Sequence, residues 1–148
     1  MNEYGRGTPA SPRIASGWYQ KAVIVTNSRA YTDLGRMYEI GCGVEQSYQT
    51  ARQYYNGAVK LGDAEAEFRL GNIYEKGHGV IHSYERAVEF YRGSADKNCD
   101  LAQYAMGRMY EGGYGVPESL EDAKEWYRRA ADNGNDDARM RLEELSDQ

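Results

Sequence analysis

The sequence predicts an all-α protein, an array of helix-turn-helix units repeated every 36 residues. Three observations carry that prediction. Leu34–Gly35, Leu70–Gly71 and Met106–Gly107 are spaced 36 apart (70 − 34, 106 − 70), and Leu142–Glu143 falls next in register. The glycine pairs Gly41/Gly43, Gly77/Gly79 and Gly113/Gly115 repeat in the same phase, each followed by Val44, Val80 or Val116. The aromatic pairs Trp18–Tyr19, Tyr54–Tyr55, Phe90–Tyr91 and Trp126–Tyr127 hold the same interval. So strict a period marks stacked units, each burying its apolar side only against its neighbours.

The register starts at the chain's first residues. "EYGRGTPAS" (3–11) matches "EGGYGVPES" (111–119) at five positions, and 111 − 3 = 108 is three periods of 36. Residues 3–28 therefore form a partial repeat, a loop and a second helix near 12–25, with Ser11 before it and Pro12 at its first turn. Such a beginning reads as a cut through a longer array, or as an end whose neighbour another chain supplies.

In each full unit the first helix follows from one apolar stripe. Ala30, Leu34, Met37 and Tyr38 fall at helical spacing, and the pattern predicts helices over 29–40, 65–76 and 101–112. Gly35, Gly71 and Gly107 lie inside that stripe, where glycine costs about 1 kcal/mol against alanine. Their recurrence predicts that another helix packs directly on the backbone there. Gly-x-Gly-Val then stops each helix, since glycine tolerates positive φ.

The second helix begins after Ser47, Ser83 or Ser119, whose side-chain oxygens suit the free N–H groups of a first turn. Ala51, Tyr54, Tyr55 and Ala58 supply its core face, and the pattern predicts helices over 48–61, 84–97 and 120–133. Gly62, Asn98 and Gly134 end them. A last first helix over 136–146 carries more charge, as a capping helix with one wet face requires. The whole is one domain, 1–148, with full repeats at 29–64, 65–100 and 101–136 and a partial, capping unit at 137–148.

Composition bounds the function. The 148 residues carry a net charge of −5, which argues against a nucleic-acid or anionic-membrane surface. No apolar run approaches the roughly 20 residues that cross a bilayer. The N-terminal "MNEYGRGTPASPR" lacks the apolar core of a secretory signal.

Reactive constellations are missing from the sequence pattern. Cys42 belongs to a turn inside a unit and Cys99 to a connection between units, so the two fall at opposite helix ends, about 20 Å apart. A disulfide needs Cα atoms within about 7 Å, so both are expected to be free thiols. That favours a reducing, cytoplasmic setting, with a periplasmic or secreted one left open. His78 and His82 flank the Gly79–Val80 turn without a ligand set around them, so no metal is expected. The Gly-x-Gly elements follow helices, not strands, which removes the dinucleotide context. No cofactor and no catalytic residue is expected.

Over residues 3–142 the unit resembles the Sel1-like repeat, a relative of the tetratricopeptide repeat. The family's first half reads A-x-x-x-L-G-x-x-Y-x-x-G-x-G-V and its second half ends A-x-x-W-Y-x-x-A-A-x-x-G. Residues 102–134, "AQYAMGRMYEGGYGVPESLEDAKEWYRRAADNG", match almost throughout, with Met106 in the leucine place. Ser47 and Ser83 stand where aspartate is common, and Tyr54 and Phe90 where tryptophan is. The resemblance implies the right-handed solenoid, and adaptor roles in signalling, protein quality control, or bacterial envelope and host-interaction systems.

In solenoids of this kind the first helices line the concave face, with rungs about 10 Å apart. Two ladders off the core stripe then face a groove: Thr32, Phe68, Tyr104 and Met140, and beside them Arg36, Asn72 and Arg108. Phe68 and Tyr104 are the expected anchors, Arg36 and Arg108 clamps for a carboxylate-bearing peptide or protein partner, and Asn72 a backbone hydrogen-bonder. Against this stand i, i+3 pairs, Arg36–Glu39 and Arg108–Glu111, and packing of Phe68 and Tyr104 between repeats. The leading functional expectation is a non-catalytic protein-binding scaffold. A structural or assembly element, self-associating through the N-terminal end, is the second. A hydrolase is a remote third.

Overall fold

The computed structural model describes residues 27–147. Seven α-helices make up the described secondary structure: α1 Ser28–Ile40, α2 Tyr48–Lys60, α3 Ala64–Lys76, α4 Tyr84–Asp96, α5 Asp100–Gly112, α6 Leu120–Asp132 and α7 Asp136–Ser146. Every boundary lies within one residue of the sequence-based span. The fold class is all-α, the helix-pair repeat of an α-solenoid. The helix expected near 12–25, the partial repeat 3–28 and the self-associating N-terminal end lie outside the described residues.

Local chemistry sets these boundaries. Ser47, Ser83 and Ser119 accept from the backbone N–H groups of Thr50, Arg86 and Asp122, each at 3.1 Å, and so begin α2, α4 and α6. A parallel series starts the first helices. Asn27 accepts from Arg29 and Ala30, Asp63 from Ala66 at 3.1 Å, and Asn135 from Ala138 at 2.8 Å. Cys99 occupies the same register before α5 and makes no side-chain cap bond. At the far ends Gly41 and Gly113 turn left-handed, φ 84° and 71°, closing α1 and α5 on the carbonyls of Met37 and Met109. Asn98, at φ 70°, takes the left-handed place that Gly62 and Gly134 hold in the other units.

The chain forms two compact units, one ending at Ala66 and the other beginning at Glu67. In the first, α1 packs on α2, and Ala30, Leu34, Ala51, Tyr55 and Ala58 are buried. In the second, α4 packs on α5, α5 on α6 and α6 on α7. Its core runs from Ala87, Val88 and Tyr91 through Met106 and Met109 to Tyr127, Ala138 and Leu145.

The stripe glycines meet a side chain, not a helix backbone. Tyr91 lays its ring against Gly71 so closely that a Cβ there would stand 2.5 Å from Cε1. Tyr55 covers Gly35 and Tyr127 covers Gly107 in the same way. A fully buried phenol ring thus takes the space a first-helix side chain would need, and the glycine's propensity cost is recovered in packing. The partner aromatics stack outside it, Tyr54 on Tyr38 at 5.7 Å and Phe90 on Tyr74 at 5.6 Å.

Candidate functional site

Each buried tyrosine ends in a hydroxyl that must find a partner away from water. Its position over the glycine aims it at the carboxylate one helical turn further along the first helix. Tyr55 donates to Glu39 and Tyr91 to Glu75, both at 2.5 Å, and Tyr127 donates to Glu111 at 2.7 Å. The Tyr91 hydroxyl also sits 2.7 Å from Oδ1 of Asn72, so two acceptors stand around one proton.

In the second unit these carboxylates are then gripped from the next first helix. Arg108 on α5 donates from both terminal nitrogens to Glu75 on α3, at 3.1 and 3.2 Å. Arg141 on α7 makes the corresponding pair to Glu111, through both Nε and Nη2, and also reaches Glu144. The result is a polar seam of phenol, carboxylate and guanidinium repeated along the first-helix face.

The electrostatics follow from the seam. Burial pushes the Glu75 carboxyl up, but hydrogen bonds from Arg108 and Tyr91 outweigh it and hold the pKa below the ordinary 4.5. The Arg141 hydrogen bond does the same for Glu111. Burial first, then the bond to a carboxylate, raises Tyr91 and Tyr127 far above the phenol range. Burial lowers Arg108, and the Glu75 bond and charge more than reverse it. At neutral pH the seam holds two carboxylates and two guanidiniums and is close to neutral.

The sequence-derived ladder residues divide between this seam and the core. Thr32 is a correction: it is completely buried, its hydroxyl 3.1 Å from the Ser28 carbonyl and 2.9 Å from Asp63 Oδ2. It ties α1 to the residue capping α3, which removes it from any groove. Phe68 and Tyr104 are half-buried, their rings tilted on Tyr91 at 5.7 Å and Tyr127 at 5.5 Å. Packing and display are both true of them. Met140, in the same register on α7, is 57% exposed.

The expected clamps fare differently. Arg108 is engaged, and with Glu75 instead of Glu111, so its fork is occupied by the fold itself. Arg36 turns to Asp33 at 3.7 Å rather than to Glu39, and its Nε is buried without a hydrogen-bond partner. Asn72 serves the Tyr91 hydroxyl. Of the seam glutamates, Glu111 enters the sequence reading only as an i, i+3 partner of Arg108 and Glu75 not at all, although Glu39, Glu75 and Glu111 stand 36 apart and four residues after each stripe glycine.

Elsewhere, Cys42 is exposed, Cys99 is partly buried, and both are free thiols. His82 meets the edge of Tyr84 at 4.4 Å. Among the described residues no three His, Cys, Asp or Glu side chains gather as a metal site, and no helix is long and apolar enough to cross a membrane.

The comparisons with known proteins converge on one repeat. The Sel1 repeat profile matches residues 1–23, 28–63, 64–99 and 100–135. A Sel1 repeat protein from Oxalobacter formigenes superposes with a TM-score of 0.85 at 29% identity, over 93% of this chain and 56% of that one. The protein c5321, a protective antigen present in uropathogenic Escherichia coli strains, superposes with a TM-score of 0.86 at 31% identity, over 95% of this chain and 30% of its own length. This chain thus spans about half of the first protein and less than a third of the second. Cysteine rich protein B of Helicobacter pylori shares the fold at 23% identity, TM-score 0.64, over 83% of this chain and 93% of that one. No curated protein matches the sequence.

Proposed function

This chain belongs to the Sel1 repeat family, a scaffold family whose members generally mediate protein–protein interaction, and from that premise we propose a non-catalytic adaptor that docks a polypeptide on the first-helix face of its second unit. The observation that carries the reading is the display of Phe68, Tyr104 and Met140 in one register beside a seam whose charges are already paired. A partner meeting that face gains apolar and aromatic area without having to strip water from an unpaired charge. Tyrosine supplies much contact area at low entropic cost, and Met140 adapts its shape to what it meets.

The partner group is therefore apolar, flanked by hydrogen-bonding backbone; a carboxylate would have to displace Glu75 from Arg108. With no reactive group assembled around the seam, the adaptor does its work by holding, in a cytoplasmic setting.

The test uses three immobilised baits: the wild-type chain, a Tyr104→Ala/Met140→Ser variant, and a Leu120→Ser control on a different helix, each checked by circular dichroism. Chemical cross-linking then identifies captured proteins. Species held by wild type and control but lost from the double variant support the reading. Equal capture by all three baits overturns the assigned face.

A further inference from the structure

Three half-buried rings of the second unit are each covered by one of the chain's own guanidiniums. Arg86 lies over Tyr74 at 4.8 Å, Arg92 over Tyr110 at 6.0 Å and Arg129 over Trp126 at 4.6 Å. A fourth aromatic group, where the α3–α4 and α5–α6 turns lie side by side, has no such cover. His82 meets the edge of Tyr84 at 4.4 Å, and the Tyr114 ring reaches back onto Tyr84 at 4.8 Å. Tyr114 is 43% exposed, and Ile81, next to His82, is 90% exposed, more than any other large apolar side chain among the described residues. Every other tyrosine hydroxyl or ring named above is held by a carboxylate, a guanidinium or the core. This stack faces water.

The backbone fixes these rings in place. Gly115 turns left-handed, φ 73°, and approaches so closely that a Cβ there would stand 2.7 Å from the Tyr84 carbonyl carbon. The Tyr114 N–H donates to the Met109 carbonyl at 2.9 Å. Ser83 and Ser119 close their turns on the carbonyls of Tyr74 and Tyr110, at 3.0 and 2.9 Å. Rings already ordered cost a partner little entropy to engage.

Charge selects the occupant. Residues 81–86 and 114–124 carry Glu85, Glu118, Glu121 and Asp122 against Arg86 and Lys124, and Arg86 is drawn onto Tyr74. Glu118 and Glu85 adjoin the turn that bears Tyr114: Glu118 Cβ lies 3.1 Å from where a Gly113 Cβ would be, and Glu85 N 3.0 Å from where a Gly115 Cβ would be. Elsewhere Glu67, Glu125 and Asp136 are each held by a basic side chain. Glu85, Glu118, Glu121 and Asp122 pair with none among the described residues.

We propose that this aromatic stack docks an arginine-bearing segment of a partner polypeptide, the guanidinium lying against the Tyr114 ring with the flanking carboxylates supplying the opposite charge. Arginine suits the surface better than lysine, because its planar, weakly hydrated head stacks on a ring and still forks to a carboxylate. The chain's own Arg86, Arg92 and Arg129 show that chemistry on neighbouring rings. The surface is independent of the first-helix face proposed above: neither needs the other.

The experiment is an amide NMR titration of the intact chain with three peptides. Acetyl-Gly-Arg-Gly-Arg-Gly-amide is the probe, its lysine counterpart keeps the charge without the plane, and its citrulline counterpart keeps the shape without the charge. Saturating shifts at Tyr84, Tyr114 and Gly115 are expected with the arginine peptide, weaker binding with lysine, and none with citrulline. Tyr114→Leu should weaken arginine binding about threefold, and Tyr114→Phe, which keeps the ring, should not. Glu85→Gln/Glu118→Gln should weaken it by a similar factor and reduce its sensitivity to salt. Circular dichroism checks that each variant is folded. No shift at these residues, citrulline or lysine binding as tight as arginine, or binding unchanged in Tyr114→Leu would each overturn the proposal. Tyr104→Ala/Met140→Ser should leave the titration as it is, which separates this surface from the first-helix face; loss of binding there would overturn the location.

Discussion

Arg108 grips Glu75, 33 residues earlier in the chain, with two hydrogen bonds of 3.1 and 3.2 Å. The pair fastens the first helix of one repeat to the first helix of the next, at the point where the Tyr91 hydroxyl also lands. Replacing Arg108 by alanine leaves a half-buried carboxylate with one partner fewer. The expected loss is about 1–2 kcal/mol, at the lower end because the guanidinium is 37% exposed and screened by water. Arg108→Lys should recover part of it, since the charge survives and the fork does not. Urea titrations of the three proteins check the order.

Acid should loosen the second unit through the same carboxylates. Glu75 and Glu111 have folded pKa values below the ordinary 4.5, so their contribution is complete above that value and is lost as pH falls through the folded one. Tyr91 and Tyr127 have raised values, so theirs is complete below the ordinary 10.0 and is lost as pH rises beyond it. Thermal melts should show a plateau between those limits. Glu75→Gln should flatten the acid limb; an unchanged limb would show that Glu75 does not govern it.

Gly71→Ala sets two effects against each other. Alanine improves helix propensity by about 1 kcal/mol. Its Cβ would, however, press on the fully buried ring of Tyr91, and overpacking costs about 1–3 kcal/mol. Net destabilisation is expected. In a Gly71→Ala/Tyr91→Leu double variant the two changes should be less than additive, because the second removes the ring that the first strikes.

Cys99 is the first-helix cap position that lacks a cap. Cys99→Asn restores the side chain found at 27 and 135 and should raise stability by about 0.5 kcal/mol. Ser83→Ala, removing a formed cap, should lower it by about 1 kcal/mol. Opposite signs in matched denaturant titrations would confirm the capping account.

Phe68 and Met140 share a register but differ in environment. Phe68→Ala should cost about 2 kcal/mol through the lost contact with Tyr91. Met140→Ser should stay within about 0.5 kcal/mol, being a surface change. That difference makes Met140 the cleaner probe of partner binding.

Helix positions, serine caps and glycine stops were legible in the sequence because each is local chemistry repeated at a fixed interval. The capping series at 27, 63 and 135 was equally visible in register, but polar residues before a helix carry no label, and the missing cap at Cys99 interrupts the pattern. The candidate site was legible only as a set of positions. Phe68 and Tyr104 are half-buried against Tyr91 and Tyr127 and Met140 is exposed, whereas Thr32 is buried with its hydroxyl on Asp63, 31 residues further along.

By itself the sequence determined the 36-residue unit, its two helices and the membership of each residue in stripe, cap or loop. These depend on periodicity and on backbone preferences that a single helix pair satisfies. Tertiary structure alone decided which carboxylate Arg108 would hold and why a tyrosine needs glycine beneath it. Pairing between charges far apart in the chain lies outside the reach of a local rule: i, i+3 spacing offers Arg108 only Glu111, and the stacking of one repeat on the next brings Glu75, 33 residues away, within hydrogen-bond distance.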